Sequence, residues 1–124
     1  MKIITTKMHG ILDYLVAGLF IALPFLGGWD TTAVYSRIFF VLAAITIVYS
    51  LVTKYETSLV KLIPFRIHLA IDFISGILLI SSPWLLGFAD EMYLPHVVLG
   101  VVEILVVVMT VAKAEEPETH TSPL

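Results

Sequence analysis

The sequence predicts an all-α membrane protein: a four-transmembrane-helix bundle built from two parallel two-helix repeats. Three observations support this, namely the hydrophobic composition, four long windows that are nearly free of charge, and an internal repeat. Of the 124 residues, 59% are apolar and only 14% are charged, whereas a soluble domain carries roughly 25% charged residues. The chain has no cysteine and a net charge of −3. The composition therefore excludes a disulfide-stapled secreted domain and a basic nucleic-acid-binding protein.

The windows between charged residues have the length of membrane spans. Four of them, holding 22, 16, 23 and 21 residues, carry at most one charge each. A helix of about 20 mostly apolar residues crosses the hydrocarbon core of a bilayer. The second window is short, but residues 33–35 extend it and Arg37 can reach the membrane surface from a helix end. The expected spans are residues 8–28, 34–53, 66–86 and 94–112.

The basic residues lie almost entirely on one side of these spans. Only Arg37 is expected on the other side. The basic residues that share the first side are Lys2, Lys7, Lys54, Lys61, Arg66 and Lys113. By the positive-inside rule, both termini and the middle loop are expected to be cytoplasmic. Residues 114–124 form an acidic tail that we expect to be disordered.

The chain repeats itself at an offset of 59 residues without a gap. His9 and Asp13 fall on His68 and Asp72, and both halves continue with a Pro-aromatic-Leu-x-Gly segment. Chance matches between hydrophobic helices are mostly apolar. The matching histidines, aspartates, prolines and glycines are therefore the evidence for a repeat. Each half holds two spans, so both halves enter the membrane from the same face and the repeats are parallel. The expected repeat units are residues 1–57 and 58–113.

The shared segment has its fullest form in the second half. Its residues are Ser82, Pro83, Trp84 and Gly87 in the second copy, and Pro24, Phe25 and Gly28 in the first. The Ser-Pro-Trp triplet resembles that of the SPW-repeat family of small bacterial membrane proteins, in which it lies in the first of two membrane helices per repeat. The resemblance implies this topology and a place in the bacterial inner membrane, but no reaction. The first copy departs from the triplet.

Each part of this segment has a structural interpretation. A proline inside a membrane helix bends it and leaves a backbone carbonyl without its hydrogen bond. Near Pro83, the hydroxyl of Ser81 or Ser82 could donate to that carbonyl. The aromatic residues, Phe25, Trp29, Trp84 and Phe88, are expected at headgroup depth as an aromatic belt. Gly28 and Gly87 suit a left-handed residue that closes a helix end.

Five polar residues inside the spans are the candidate functional residues: His9, Asp13, His68, Asp72 and Glu103. Each histidine lies four residues before its aspartate, so the two share one helix face. The repeat places both pairs at equal depth, where they form one cluster if both face the axis between the repeats. Glu103 has no acidic counterpart in the first half. Ionisable residues in the membrane usually face the bundle interior and mark function.

Three hypotheses for function follow. In the first, the protein is a non-enzymatic structural or accessory membrane component, without a cofactor, whose His/Asp pairs cross-link helices. In the second, it handles protons or cations through Asp13, Asp72 and Glu103. In the third, His9 and His68 bind haem b or a divalent metal. The expected partners are the lipid bilayer and a homo-oligomer or larger membrane assembly. His96 is interpreted as an interfacial residue.

Overall fold

The computed structural model describes residues 2–111, in which four helices follow one another and no extended strand forms. The helices are α1 (Thr6–Leu26), α2 (Val34–Leu51), α3 (Phe65–Leu85) and α4 (Leu94–Met109). The all-α, four-helix prediction is confirmed. The first three helices are long and apolar enough to cross a membrane. Lys113 and the tail expected at 114–124 lie outside the described residues.

The fourth helix is shorter than the span expected from the sequence, with 16 residues. It ends because the N-terminal segment forms hydrogen bonds with the carbonyl group of its last residue. The backbone N–H groups of Ile3 and Ile4 both donate to the Met109 carbonyl, and Val111 donates back to the Ile4 carbonyl. Thr110 is thereby extended, with φ −84° and ψ 131°. The first and last described segments are joined at this end of the bundle.

The Pro-aromatic-Gly segments close α1 and α3 in the same way. Gly28 and Gly87 have φ values of 64° and 78°, the left-handed values that the sequence predicts. The residue after each glycine donates its N–H to the proline carbonyl, with Trp29 to Pro24 at 2.9 Å and Phe88 to Pro83 at 2.8 Å. This is the hydrogen bond of a Schellman motif, in which only glycine adopts the left-handed position without strain.

The serine of the Ser-Pro-Trp triplet compensates for its proline. Pro83 has no N–H to give to the Leu79 carbonyl, one helical turn earlier. The Ser82 hydroxyl donates to that carbonyl instead, at 2.7 Å, and is completely buried. The first repeat has Leu23 at the equivalent position and lacks this replacement.

Two helical hairpins form the bundle. The α1 helix packs mainly against α2 and α3 against α4, while α2 and α3 connect the hairpins. Phe20, Phe39 and Leu79 are fully buried between them. The α3–α4 crossing brings backbones into contact, since a Cβ on Gly100 would lie 2.7 Å from the Gly76 carbonyl oxygen.

The outer surface of the bundle is apolar. Every helix exposes large hydrophobic side chains, such as Leu15, Val48, Ile74 and Leu105 on α1 to α4 respectively. A soluble bundle would present a polar stripe there. The polar residues lie inside or at the ends, as expected for helices that face lipid.

Candidate metal centre

The two His/Asp pairs meet in one buried cluster between α1 and α3. We call His9, Asp13, His68 and Asp72 the His/Asp quartet. One nitrogen or oxygen from each of these residues can be chosen so that all four atoms lie within 4.8 Å of one another. All four residues are buried, and the histidines are 1% exposed or less. Each half of the chain contributes one histidine and one aspartate.

Each imidazole contacts both carboxylates through its Nε2 atom. His9 Nε2 lies 3.2 Å from Asp13 Oδ1 and 2.8 Å from Asp72 Oδ2. His68 Nε2 lies 2.9 Å from Asp13 Oδ2 and 3.1 Å from Asp72 Oδ2. The contacts between the repeats, at 2.8 and 2.9 Å, are shorter than those within a helix, at 3.2 and 3.1 Å, and they link the two halves of the bundle.

A threonine from the opposite repeat fixes each imidazole on its other side. His9 Nδ1 is 2.8 Å from Thr110 Oγ1, and His68 Nδ1 is 2.7 Å from Thr53 Oγ1. Both hydroxyls donate to a carbonyl one turn earlier in their own segment, each at 2.6 Å. A hydroxyl has one hydrogen, so each threonine must accept from the histidine. The network therefore assigns a hydrogen to Nδ1 of both rings, and Nε2 is the atom presented to the carboxylates.

A tyrosine donates to each carboxylate. The Tyr49 hydroxyl at the end of α2 donates to Asp72 Oδ1, and the Tyr55 hydroxyl donates to Asp13 Oδ2 at 3.1 Å. Tyr55 lies in the segment between α2 and α3, where burial and the nearby Asp13 carboxylate raise the pKa of its phenol. Its hydroxyl thus remains a hydrogen-bond donor well above neutral pH.

The segment that carries Tyr55 covers the quartet at one end of the bundle. We call this the basic end, because it carries Lys7, Lys54, Lys61 and Arg66. Gly10 allows its approach, because a Cβ there would lie 2.0 Å from Thr57 Oγ1. The Tyr14 hydroxyl donates to the Thr57 carbonyl at 2.9 Å. Lys61 Nζ donates to the Tyr55 carbonyl at 2.6 Å. These contacts keep Tyr55, 4% exposed, over the buried carboxylates.

One nitrogen in this network lacks an aligned partner. Although His68 Nε2 lies close to two carboxylates, it forms no hydrogen bond of acceptable geometry within residues 2–111. His9 Nε2, in contrast, is aligned with Asp72 Oδ2. A buried polar atom without an aligned partner is uncommon in a folded protein and calls for an explanation.

Glu103 lies outside the quartet but faces the same interior space. A cavity of about 30 Å³ is lined by His9, Asp13, Asp72 and Glu103, together with Thr46 and Tyr49. Glu103 Oε2 is buried and has no hydrogen-bond partner in the described part of the chain. The three intramembrane acids thus line one cavity.

The aromatic residues at the opposite end divide into two sets. Phe25 and Trp84 are exposed, at 65% and 61%, as an aromatic belt requires. Trp29 and Phe88 turn inward and contact the ring of His96.

His96 is completely buried, and its Nε2 donates to the Tyr35 carbonyl at 2.8 Å. His96 therefore lies inside the bundle at the start of α4, and its position at the membrane interface stays a prediction. Its position on α4 turns it toward aromatic rings from both halves.

Sequence reasoning missed four residues of this site: Thr53, Thr110, Tyr49 and Tyr55. The two threonines are 57 residues apart, whereas the histidines are 59 apart. A search without gaps therefore does not align them. A polar residue at the end of an apolar span is the only sequence feature that could have identified them.

Comparison with known proteins identifies the family of this chain. The family model described as the SPW repeat domain matches residues 7–110. The chain belongs to the SPW repeat family. The match covers α2, α3, α4, all of α1 except Thr6, and every residue of the quartet. Among curated proteins and solved structures, none matches this chain.

Proposed function

We propose that this protein is a multi-pass membrane protein that binds one divalent transition-metal ion at the His/Asp quartet. The observation that carries the proposal is the orientation of the two histidines. In each ring Nδ1 donates a hydrogen bond to a threonine hydroxyl, and Nε2 points toward the carboxylates. A metal-bound histidine is arranged in this way, with one nitrogen on the ion and the other held by a second residue.

The unaligned contacts of His68 support an ion rather than hydrogen bonds alone. An Nε2 atom near two carboxylates but aligned with neither is satisfied by an ion that lies between them. Ligand atoms around a four-coordinate ion with bonds of about 2.0–2.2 Å lie roughly 3.3–3.6 Å apart. The histidine–aspartate contacts of 2.8–3.2 Å would open slightly, and the wider spacings among the four donor atoms, which reach up to 4.8 Å, would close.

The donor set selects the class of ion. Two imidazoles and two carboxylates suit Zn²⁺, Mn²⁺, Fe²⁺ or Co²⁺, whereas Mg²⁺ and Ca²⁺ prefer oxygen ligands only. The chain has no cysteine to select a soft ion. Haem fits less well, because carboxylate oxygens lie beside both Nε2 atoms and leave no space between the histidines for a porphyrin.

Charge balance also favours a divalent ion in this place. With neutral imidazoles, two aspartates and one divalent ion sum to zero. An uncompensated charge in the bilayer costs about 2.5–3.5 kcal/mol on insertion scales. A neutral complex avoids this cost at a site whose four residues are all buried.

The proposal includes an orientation. The basic end of the bundle, closest to the quartet, is proposed to face the cytoplasm of a bacterial cell, with both termini on that side. The chain has no native cysteine, so single cysteines at Lys54 and Asp30 report accessibility without background. Labelling of the Lys54 position in intact cells by an impermeant reagent would contradict this orientation.

Metal binding is tested with detergent-solubilised protein stripped of metal. A titration with Zn²⁺ against a chromophoric chelator is expected to give one ion per chain. The Asp72→Asn and His68→Phe variants each remove a ligand, and we expect at least a roughly 100-fold loss of affinity. Asp30→Asn is the matched control, since this carboxylate is fully exposed at the opposite end. Circular dichroism checks that each variant remains helical.

A second candidate function is a metal-free clasp between the repeats. The hydrogen bond between His9 Nε2 and Asp72 Oδ2, at 2.8 Å, favours this candidate. Two protonated imidazoles and two ionised carboxylates also sum to zero charge, so no metal ion is needed for neutrality. The two candidates differ in one measurement. If the wild-type protein has no detectable affinity for Zn²⁺, Mn²⁺, Fe²⁺ or Co²⁺ but Asp72→Asn lowers its stability, the quartet is a clasp and not a metal site.

A further inference from the structure

The cavity beside the quartet points to a second ligand at the same centre. It reaches His9, Asp13 and Asp72, three of the four proposed metal ligands. His68 does not line it. An ion held by the quartet would therefore lie beside the cavity, next to the three ligands that line it.

The cavity has the size of a very small molecule. Its volume of about 30 Å³ exceeds the roughly 10–15 Å³ that one water requires. The walls away from the quartet include the apolar side chains of Leu12, Val16 and Val106. Such a space admits one or two water-sized molecules.

Glu103 is one of the polar residues that line this space, together with Thr46 and Tyr49. Its Oε2 atom is buried and forms no aligned hydrogen bond among residues 2–111, although the Ser75 hydroxyl lies near the carboxyl group. A buried carboxyl oxygen left unpaired is unfavourable. A small molecule in the cavity satisfies that atom, because the same cavity touches both Glu103 and the quartet.

We infer that the quartet-bound metal ion has an open coordination position toward this cavity, which takes water or another ligand of two or three atoms that is hydrogen-bonded to Glu103. This inference rests on the proposed metal site and adds the class of its exchangeable ligand. A metal centre that handles a small molecule keeps an open coordination position, and zinc sites can expand from four to five ligands to accept one. At the quartet the exchangeable ligand would occupy a fifth position beside the four protein ligands.

The test uses Co²⁺-loaded full-length protein in detergent, with azide as the probe. Azide on the ion changes the visible ligand-field spectrum of Co²⁺, and a titration gives its affinity. We expect saturable binding in the wild type. Azide only accepts hydrogen bonds, so the donor in this complex is the O–H of the protonated Glu103 carboxyl group. Glu103→Val removes this donor and is expected to weaken azide binding by about tenfold or more, as for loss of a hydrogen bond to a charged group. Glu103→Gln keeps a hydrogen-bonding group and is expected to restore most of the affinity.

A variant that fills the cavity separates this position from any other azide site. Val106→Phe is expected to abolish the azide spectrum, measured at the same Co²⁺ occupancy as the wild type. An unchanged spectrum of Co²⁺-loaded wild-type protein with azide would overturn the inference while leaving the metal site intact. Equal azide affinities for wild type, Glu103→Val and Val106→Phe would overturn it as well. Failure to bind Co²⁺ at all would overturn both the metal site and this inference.

Discussion

Replacement of Thr53 by valine removes the group that holds His68 without changing its size greatly. Thr53 and His68 are both 0% exposed, so no water replaces the lost acceptor of the Nδ1 hydrogen. A buried donor left unpaired costs about 1–3 kcal/mol of stability. Loss of a residue that orients a metal-bound histidine typically weakens binding by about 10–100-fold. This corresponds to about 1.4–2.8 kcal/mol.

The assay is a Zn²⁺ competition titration of wild type, Thr53→Val and Thr53→Ser in the same detergent. Serine keeps the hydroxyl that donates to the Tyr49 carbonyl, and we expect its affinity within a few-fold of wild type. Thr110→Val makes the same change beside His9 and is expected to weaken Zn²⁺ binding to a similar extent. Thermal unfolding followed by circular dichroism measures the accompanying loss of stability.

Unchanged Zn²⁺ binding in both threonine variants would refute this role of the threonines. If Thr53→Val and Thr110→Val remain folded and bind Zn²⁺ as tightly as wild type, the threonines do not orient the ligands. The assignment of Nε2 as the metal-binding atom of each ring would then lose its basis.

Three further predictions concern packing, the proline segment and pH. Gly100→Ala places a Cβ 2.7 Å from the Gly76 carbonyl oxygen, and we expect about 1–3 kcal/mol of destabilisation by thermal unfolding. Gly18 meets nothing within 4 Å, so equal losses for Gly18→Ala and Gly100→Ala would disprove the close crossing. Ser82→Ala leaves the Leu79 carbonyl without its donor and is expected to cost about 0.5–1.5 kcal/mol, measured against Ser81→Ala. Zn²⁺ affinity is expected to fall as pH falls, because protons compete for the imidazoles and carboxylates; affinity unaffected between pH 8 and 5 would argue against histidine ligands.

The fold could be predicted because its determinants are local. The length of each charge-free window sets the number of spans, and the glycine after each Pro-aromatic segment sets where α1 and α3 end. The shortened α4 could not be predicted in this way. Its end depends on the hydrogen bonds from Ile3 and Ile4 to Met109, which join residues more than a hundred positions apart.

The site could be predicted only in part. The i, i+4 spacing places His9 with Asp13, and the repeat places the second pair at the same depth. The contact of His9 with Asp72 depends on how far α1 and α3 rotate about their axes, and this follows from packing across the whole bundle. The inward position of His96 has the same origin, since rotation of α4 decides whether that residue meets lipid or aromatic rings.

X-ray absorption spectroscopy of Zn²⁺-loaded protein, washed free of unbound metal, tests the central claim most directly. The account predicts one ion per chain, bound by nitrogen and oxygen at about 2.0–2.2 Å, with the outer-shell scattering of two imidazoles. The imidazole scattering should halve in His9→Phe at whatever occupancy remains. Zinc with only solvent oxygen neighbours, or no zinc retained after washing, would contradict a metal site in the His/Asp quartet.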